Sequence, residues 1–155
     1  MNALILHNIR SVYNVGSIFR TADTAGVTKI ILSGYTPAPV DRFRLPRKDF
    51  AKVSLGAEKT IPWVQTKTLA AAIRQLKKEN YSITAVEQAK NSTPLFDFKK
   101  PKNKPLALLL GNEVKGISKQ SLSLCDAIVE IPMRGKKESL NVSVAAGIVM
   151  FTLLK

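Results

Sequence analysis

The sequence predicts an α/β fold, in which a mainly parallel sheet is flanked by helices. Short apolar runs alternate with amphipathic helical stretches along the chain, which is the pattern of strand–helix–strand units. The run Leu106–Leu110 is apolar at every position, as in a strand buried on both faces of a parallel sheet. With 155 residues the chain has the length of one domain, and we expect that domain to span residues 1–155.

The first half of the chain is predicted to contain three strands and two helices. The strands are expected over residues 3–7, 29–32 and 60–64, and the helices over residues 14–25 and 68–78. On the first helix, Val15, Ile18 and Ala22 share one face, and Gly26 is the expected stop. Segment 34–56 is rich in proline and basic residues, which indicates a loop with a short helix.

The second half is predicted to hold strands over residues 83–86, 106–110 and 127–131 and helices over residues 118–124 and 139–154. Ser139 is the expected N-cap of the last helix. From Val144 onward that helix is apolar on nearly every face, so it needs cover on all sides. Since the sheet can cover only one side, we expect a second copy of the chain to cover the other, giving a homodimer.

The chain is strongly basic. Lys and Arg number 24 against 11 Asp and Glu, a net charge of +13, which favours a polyanionic partner and nucleic acid first. Cys125 is the single cysteine, so no intramolecular disulfide forms and a cytoplasmic location fits. We expect no signal peptide and no membrane span. His7 is the single histidine, which argues against zinc, and we expect no metal.

Three polar loops follow predicted strands, at the edge where ligands bind in open α/β sheets. In the first loop, Asn14 and Arg20 are candidate site residues. Alternatively, Asn14 only caps a helix and Arg20 is only a solvent-exposed arginine. In the second loop, residues 110–118, Glu113 is a candidate site residue or merely favours a nearby helix N-terminus. In the third, residues 131–141, Asn141 is either satisfied by protein groups or faces a ligand.

The common nucleotide-binding motifs do not account for these loops. Gly111 and Gly116 have the spacing of a P-loop, but Ile117 and Ser118 stand where lysine and a hydroxyl residue are required. No G-x-G-x-x-G follows the first strand. A different kind of ligand site is therefore expected.

Together the three segments resemble the SpoU-type (TrmH-like) RNA 2′-O-ribose methyltransferases of the SPOUT superfamily. The match is carried by Asn14 and Arg20, then by Gly111, Glu113 and Gly116, and finally by Ile131-Pro132-Met133 and Ser139-Leu140-Asn141. The resemblance covers almost the whole chain. It implies a parallel sheet whose C-terminal segment forms a deep trefoil knot.

The resemblance also implies the site. Its cofactor would be S-adenosylmethionine, held by Leu110, Gly111, Ile131, Met133, Ser139 and Leu140. Its catalytic residues would be Asn14, Arg20, Glu113, Ser139 and Asn141, with Arg20 facing the cofactor of a second subunit. Because a guanidinium stays protonated, Arg20 is expected to act as an electrostatic clamp on the acceptor rather than as a literal base.

The implied substrate is RNA, with tRNA favoured over rRNA because small members of the family often modify tRNA. Target choice is expected to lie on the catalytic dimer surface, since the chain begins at the first strand. Basic clusters such as Arg42-Phe43-Arg44 would contact phosphates, and Phe43 either stacks on an unpaired base or belongs to the core. The alternatives are an rRNA methyltransferase, a non-catalytic RNA-binding dimer and a base methyltransferase.

Overall fold

A seven-stranded parallel sheet forms the centre of the protein. The computed structural model describes residues 1–154, and its strands lie in the order β3-β2-β1-β6-β4-β7-β5. Every strand pairing along that order is parallel. The strands are β1 (Asn2–His7), β2 (Lys29–Ser33), β3 (Trp63–Thr66), β4 (Ser82–Val86), β5 (Thr93–Pro94), β6 (Leu106–Leu110) and β7 (Ala127–Glu130).

Six helices within residues 1–154 connect and cover these strands. They are α1 (Val12–Thr24), α2 (Lys48–Ser54), α3 (Ala57–Thr60), α4 (Leu69–Lys78), α5 (Lys119–Leu122) and α6 (Val142–Leu153). Within this described part of the chain, no helix has the length and apolar character needed to cross a bilayer.

The sheet separates two apolar cores, and the alternation of side chains along β1 shows how. Leu4 and Leu6 belong to the core that includes residues of α1, α2, α3 and α6, whereas Ala3 and Ile5 belong to the core beneath α4. All four of these side chains are fully buried. Because successive strand residues point to opposite faces, the unbroken apolar runs at residues 3–6 of β1 and along the whole of β6 follow from burial on both faces.

Helices α1 and α6 pack against each other on one face of the sheet. Gly147 faces α1 in this contact, since a Cβ atom placed there would stand 3.6 Å from Cγ2 of Thr21. The outer side of α6 remains uncovered, with Val144 and Phe151 at 50% and 54% exposure. The prediction that one side of this helix lacks cover within a single chain is therefore confirmed.

Helices α1 and α6 begin at residues other than those predicted. Ser11 caps α1 by accepting a hydrogen bond from the Asn14 backbone N–H, so the alternative role of Asn14 as a cap is wrong. Asn141, not Ser139, caps α6, because its Oδ1 accepts from the Ser143 N–H at 2.9 Å. Asn is as good an N-cap as Ser, so propensity alone could not select between them.

The third strand also lies later than predicted. Residues of the expected strand 60–64 are divided between α3 and β3, which begins at Trp63. Thr60 ends α3 with its hydroxyl donating to Asp23 Oδ1 and to the Ala57 carbonyl, and the Ile61 N–H closes the same turn onto Ala57. The short β5 was not predicted, because two residues carry no alternation pattern.

Candidate active site

The loops that follow β4, β6 and β7 enclose a cavity of about 430 Å³ at the carboxyl edge of the sheet. Its walls come from residues 86–88, from residues 110–116 and from the segment between Glu130 and Ala145. All six residues predicted to hold a cofactor line it, namely Leu110, Gly111, Ile131, Met133, Ser139 and Leu140. Two of the three polar loops singled out in the sequence therefore form one concave site.

Glycine is required where the loop after β6 doubles back on itself. The Gly116 N–H donates to the Asn112 carbonyl at 3.0 Å, and Gly116 has φ +64°. A Cβ atom on Gly111 would stand 3.0 Å from the Gly116 carbonyl oxygen and would overlap the Ile117 side chain. Both glycines of the second motif thus allow the tight turn that shapes this wall of the cavity.

Asn112, which sequence analysis did not single out, anchors this loop to its neighbours. Its Nδ2 donates to the Asn8 carbonyl at 2.8 Å and to the Tyr35 hydroxyl at 2.9 Å. Its Oδ1 accepts from the backbone N–H groups of Val114 and Lys115. Asn112 is only 8% exposed, so these bonds satisfy a buried amide. Its position two residues after a fully apolar strand was the one signal in the sequence, and that signal does not reveal the burial of the amide.

The carboxylate of Glu113 accepts hydrogen bonds from the N-terminal region of α1. It accepts from the Arg10 N–H at 3.1 Å, the Ser11 N–H at 3.3 Å and the Asn14 Nδ2 at 3.2 Å. Burial raises the pKa of Glu113, but these hydrogen bonds and one from its own N–H outweigh burial and leave the pKa below the ordinary value. The alternative role of Glu113 at a helix N-terminus is therefore the one observed.

A second hydrogen bond extends this contact to α6. Asn141 Nδ2 donates to Asn14 Oδ1 at 3.2 Å, while Asn141 Oδ1 accepts from Ser143, both from its N–H and, at 2.6 Å, from its hydroxyl. Glu113, Asn14 and Asn141 thus form one chain of hydrogen bonds across three motifs. Of the two alternatives for Asn141, satisfaction by protein groups is the one observed.

Ser139 and Arg20 stand outside this hydrogen-bonded chain. Ser139 is exposed and lines the cavity. Arg20 is exposed on α1, six residues after Asn14, which places it about 9 Å further along the helix and roughly 120° around it. Among residues 1–154, its guanidinium has no hydrogen-bond or ion-pair partner. The structure does not bring Arg20 to the Asn14 and Glu113 of its own chain.

The cavity is acidic in a basic protein. The described residues that line it include one basic residue, Lys115, and four acidic ones, namely Glu87, Glu113, Glu130 and Glu138. Glu87, which sequence analysis missed, accepts from the Ile117 N–H and from the Gln88 N–H, each at 2.9 Å. In a chain of net charge +13, this concentration of carboxylates suits a positively charged small ligand.

The burial of Phe43 and of Cys125 shows which of their predicted roles is excluded. Phe43 is 67% exposed, so a core role for its ring is wrong. Cys125 is half-buried, and burial, together with the charge of Asp126, raises the pKa of its thiol to about 11 despite an opposing effect of Lys77. Cys125 therefore lacks the thiolate character of a nucleophile, as its sequence neighbourhood suggested.

Comparison with known proteins identifies the family. The family model described as the SpoU rRNA Methylase family matches residues 1–151. The chain is 35% identical over 153 residues to the 23S rRNA (guanosine-2'-O-)-methyltransferase RlmB of Ralstonia nicotianae, covering 98% of this chain and 57% of the relative. It is 37% identical over 152 residues to a putative TrmH family tRNA/rRNA methyltransferase of Staphylococcus saprophyticus, again covering 98% of this chain and 57% of the relative.

A solved structure of similar sequence has the same fold. The AdoMet-bound rRNA methyltransferase from Sinorhizobium meliloti superimposes with a TM-score of 0.87 at 30% identity, over 97% of this chain and 54% of that chain. The chain thus spans between half and two thirds of the length of these relatives. The motif resemblance and the family match agree over nearly the entire sequence, and this protein belongs to the SpoU rRNA methylase family.

Proposed function

We propose that this protein transfers a methyl group from S-adenosylmethionine to a ribose 2′-hydroxyl of rRNA. The observation that carries the proposal is the hydrogen-bonded chain Glu113–Asn14–Asn141, which joins three family motifs beside an acidic cavity. Relatives named as 23S rRNA (guanosine-2'-O-)-methyltransferases favour rRNA over the tRNA expected from chain length. They also favour ribose over base as the acceptor.

The cavity suits S-adenosylmethionine in size and charge. About 430 Å³ lies within the range of roughly 300–1,000 Å³ found for small-molecule sites. The donor carries a sulfonium and an ammonium group, which the four lining glutamates complement. When bound, it supplies an electrophilic methyl group on sulfur. Ile131 and Leu140 would give it apolar contacts, and Leu110 and Gly111 would present backbone groups to it.

Glu113, Asn14 and Asn141 act on the reaction by positioning. Their polar atoms are occupied by one another and by the first turns of α1 and α6, so they hold both helices in register with the cavity. Fixed geometry between an acceptor hydroxyl and a methyl group supplies much of the acceleration of such a transfer. Ser139, exposed at the cavity, would bind the acceptor strand.

Arg20 completes the site from a second copy of the chain. It lies roughly 120° around α1 from the Asn14 of its own subunit, and α1 and α6 both carry exposed apolar side chains. Tyr13, Val144 and Phe151 are 62%, 50% and 54% exposed. A homodimer formed through α1 and α6 would bury these side chains and direct Arg20 at the neighbouring cavity. There its permanent charge would bind an acceptor phosphate and stabilise the developing alkoxide.

The C-terminal segment is proposed to form the trefoil knot of the family. After β7, which lies near one edge of the sheet, the chain returns to pack α6 on α1. On the way it passes the loop after β4, where Gln88 Nε2 donates to the Glu138 carbonyl at 2.7 Å. This crossing supports a threaded path, within one methyltransferase domain over residues 1–155 that works in the cytoplasm.

The proposal is tested by offering the purified protein a methyl-labelled donor with separate transcripts of large-subunit rRNA, small-subunit rRNA and tRNA. We expect label in rRNA and none with Leu140→Arg, which places a cation at the cavity. Label in tRNA alone would overturn the rRNA assignment. Binding of RNA without any label transfer would favour the non-catalytic dimer.

A further inference from the structure

We propose that residues 40–46, here called the 40–46 hairpin, form a platform on which Phe43 stacks an unpaired base of the RNA. This inference rests on the proposed function and deepens it, because it names the single-stranded state that the substrate must present near its reacting ribose. Neither the hydrogen-bonded chain nor the cavity uses this hairpin.

The hairpin is built to hold one shape. An antiparallel bridge between Val40 and Pro46 closes its base. The Asp41 N–H donates to the Leu45 carbonyl at 2.9 Å, and Asp41 Oδ1 accepts from the Phe43 N–H at 2.8 Å and the Leu45 N–H at 3.0 Å. Asp41 is the sole acidic residue of residues 40–46, and its carboxylate is directed into the turn. The exposed side chains at its tip are therefore cationic or apolar.

The tip displays an aromatic ring between two cations. Arg42 lies over the Phe43 ring with its Cζ 4.7 Å from the ring centroid, and Phe43 keeps 67% of its surface exposed. Arg44, in the left-handed region at φ +65°, follows on an exposed position. An ordered, exposed phenylalanine beside an arginine plane is what a nucleobase stacks on, and the two guanidiniums suit the flanking phosphates.

The chemistry selects an unpaired base over other partners. Bases inside a duplex have both faces covered by their neighbours, so an aromatic ring can stack only on a base that has left the helix. A purely apolar protein partner would leave Arg42 and Arg44 without counter-charges, whereas an RNA strand supplies one phosphate per nucleotide. The strongly basic composition of the whole chain also favours an RNA partner.

The hairpin stands close to the proposed reaction. It starts five residues after Tyr35, whose hydroxyl accepts from Asn112 Nδ2 in the cavity wall at 2.9 Å. Phe43 itself is eight residues after Tyr35, and eight residues of extended chain reach at most about 29 Å, a distance that a short single strand can bridge. A base held on Phe43 would thus fix the register of the RNA against the cavity.

The test compares two probes on four proteins by fluorescence anisotropy. The probes are a labelled oligoadenylate of about 12 nucleotides and an abasic strand of equal length, which keeps the phosphates and lacks the bases. The proteins are the wild type, Phe43→Ala, Phe43→Trp and the matched control Phe96→Ala. Phe96 is also 67% exposed but follows β5 at the opposite edge of the sheet from β3.

We expect Phe43→Ala to bind oligoadenylate about 10-fold more weakly than the wild type and to bind the abasic strand equally well. Phe43→Trp should retain wild-type affinity, and Phe96→Ala should match the wild type on both probes. Unchanged affinity of Phe43→Ala for oligoadenylate, an equal loss on the abasic strand, or an equal loss with Phe96→Ala would each overturn the platform.

These measurements separate the platform from the proposed function. If Phe43 governs oligoadenylate binding but the wild type transfers no methyl group to rRNA, the function fails and the platform stands. If the wild type methylates rRNA and Phe43→Ala changes neither strand affinity nor the KM for rRNA, the platform fails and the function stands.

Discussion

Asn141 and Asn14 lie 127 positions apart in the sequence and are joined by a 3.2 Å hydrogen bond from Nδ2 to Oδ1. Through this bond the N-terminus of α6 is held against that of α1. The same Asn14 donates to Glu113, so the loop after β6 is held by the same contact. The geometry of the proposed site therefore depends on amide and carboxylate groups that bind one another.

Replacing Glu113 by Gln should destabilise the protein by about 1 kcal/mol at pH 7, because a carboxylate on the helix N-terminus becomes a neutral amide. Folding lowers the pKa of Glu113 from 4.5, so its stabilisation is complete above that value and is lost as the pH falls through the folded-state pKa. The difference between wild type and Glu113→Gln in denaturant unfolding should therefore shrink as the pH is lowered below 4.5. A difference that stays constant from neutral to acidic pH would contradict this role.

Asn141→Ala should lower the thermal midpoint by roughly 2–4 °C, because it removes the cap of α6. Ser139→Ala is the matched control and should leave the midpoint unchanged, since Ser139 does not cap this helix. Differential scanning calorimetry measures the thermal midpoints of both variants. An equal or larger loss with Ser139→Ala would place the cap where the sequence suggested.

Arg20→Ala should abolish methyl transfer and leave donor affinity intact, because the guanidinium serves the acceptor. Mixing Arg20→Ala subunits with Leu140→Arg subunits tests action across the dimer. The mixed dimer has one cavity that is intact and faces an intact Arg20, so an equimolar mixture should recover about a quarter of wild-type activity. No recovery after verified subunit exchange would mean that Arg20 acts within its own chain.

Introducing Asp at both Val144 and Phe151 should convert the protein to a monomer. These side chains are about half exposed in the single chain, so their replacement costs the dimer far more than the fold. Light scattering should report the mass falling from twice the chain mass to 17.0 kDa. Phe96→Asp, at the far edge of the sheet, should leave the mass unchanged. A wild-type protein that is already monomeric would refute the proposed interface.

Cys125 should react with iodoacetamide roughly 100-fold more slowly than an unperturbed thiol at pH 7.5, since its pKa is raised from 9.0 to about 11. The same protein unfolded in guanidinium should react at the ordinary rate. Mass spectrometry measures the labelling rate. Fast labelling of the folded protein would contradict the burial of this thiol.

The sequence was most informative where burial is complete on both faces. Strands β1 and β6 were predicted within a residue or two, because the unbroken apolar runs at residues 3–6 and 106–110 leave few alternatives. The segment around Thr60 was misassigned, since Thr60 ends α3 and its hydroxyl bonds Asp23, 37 positions away in the sequence, a contact that only the folded chain creates. Such long-range contacts override local propensity.

For the site, the sequence supplied the residues but not their contacts. Asn14, Glu113 and Asn141 were singled out as polar groups at strand ends, yet their mutual hydrogen bonds depend on how α1 meets α6. Asn112 was passed over because burial of an amide cannot be read from one sequence. The position of Arg20, by contrast, follows from helix periodicity once the start of α1 is known.

The most direct test of the central claim is nucleoside mass spectrometry of rRNA methylated by this protein with a labelled donor. After complete digestion, we predict that the label is found in a nucleoside carrying a 2′-O-methyl ribose, and that the base released from it is unlabelled. Label retained on the free base would contradict the account.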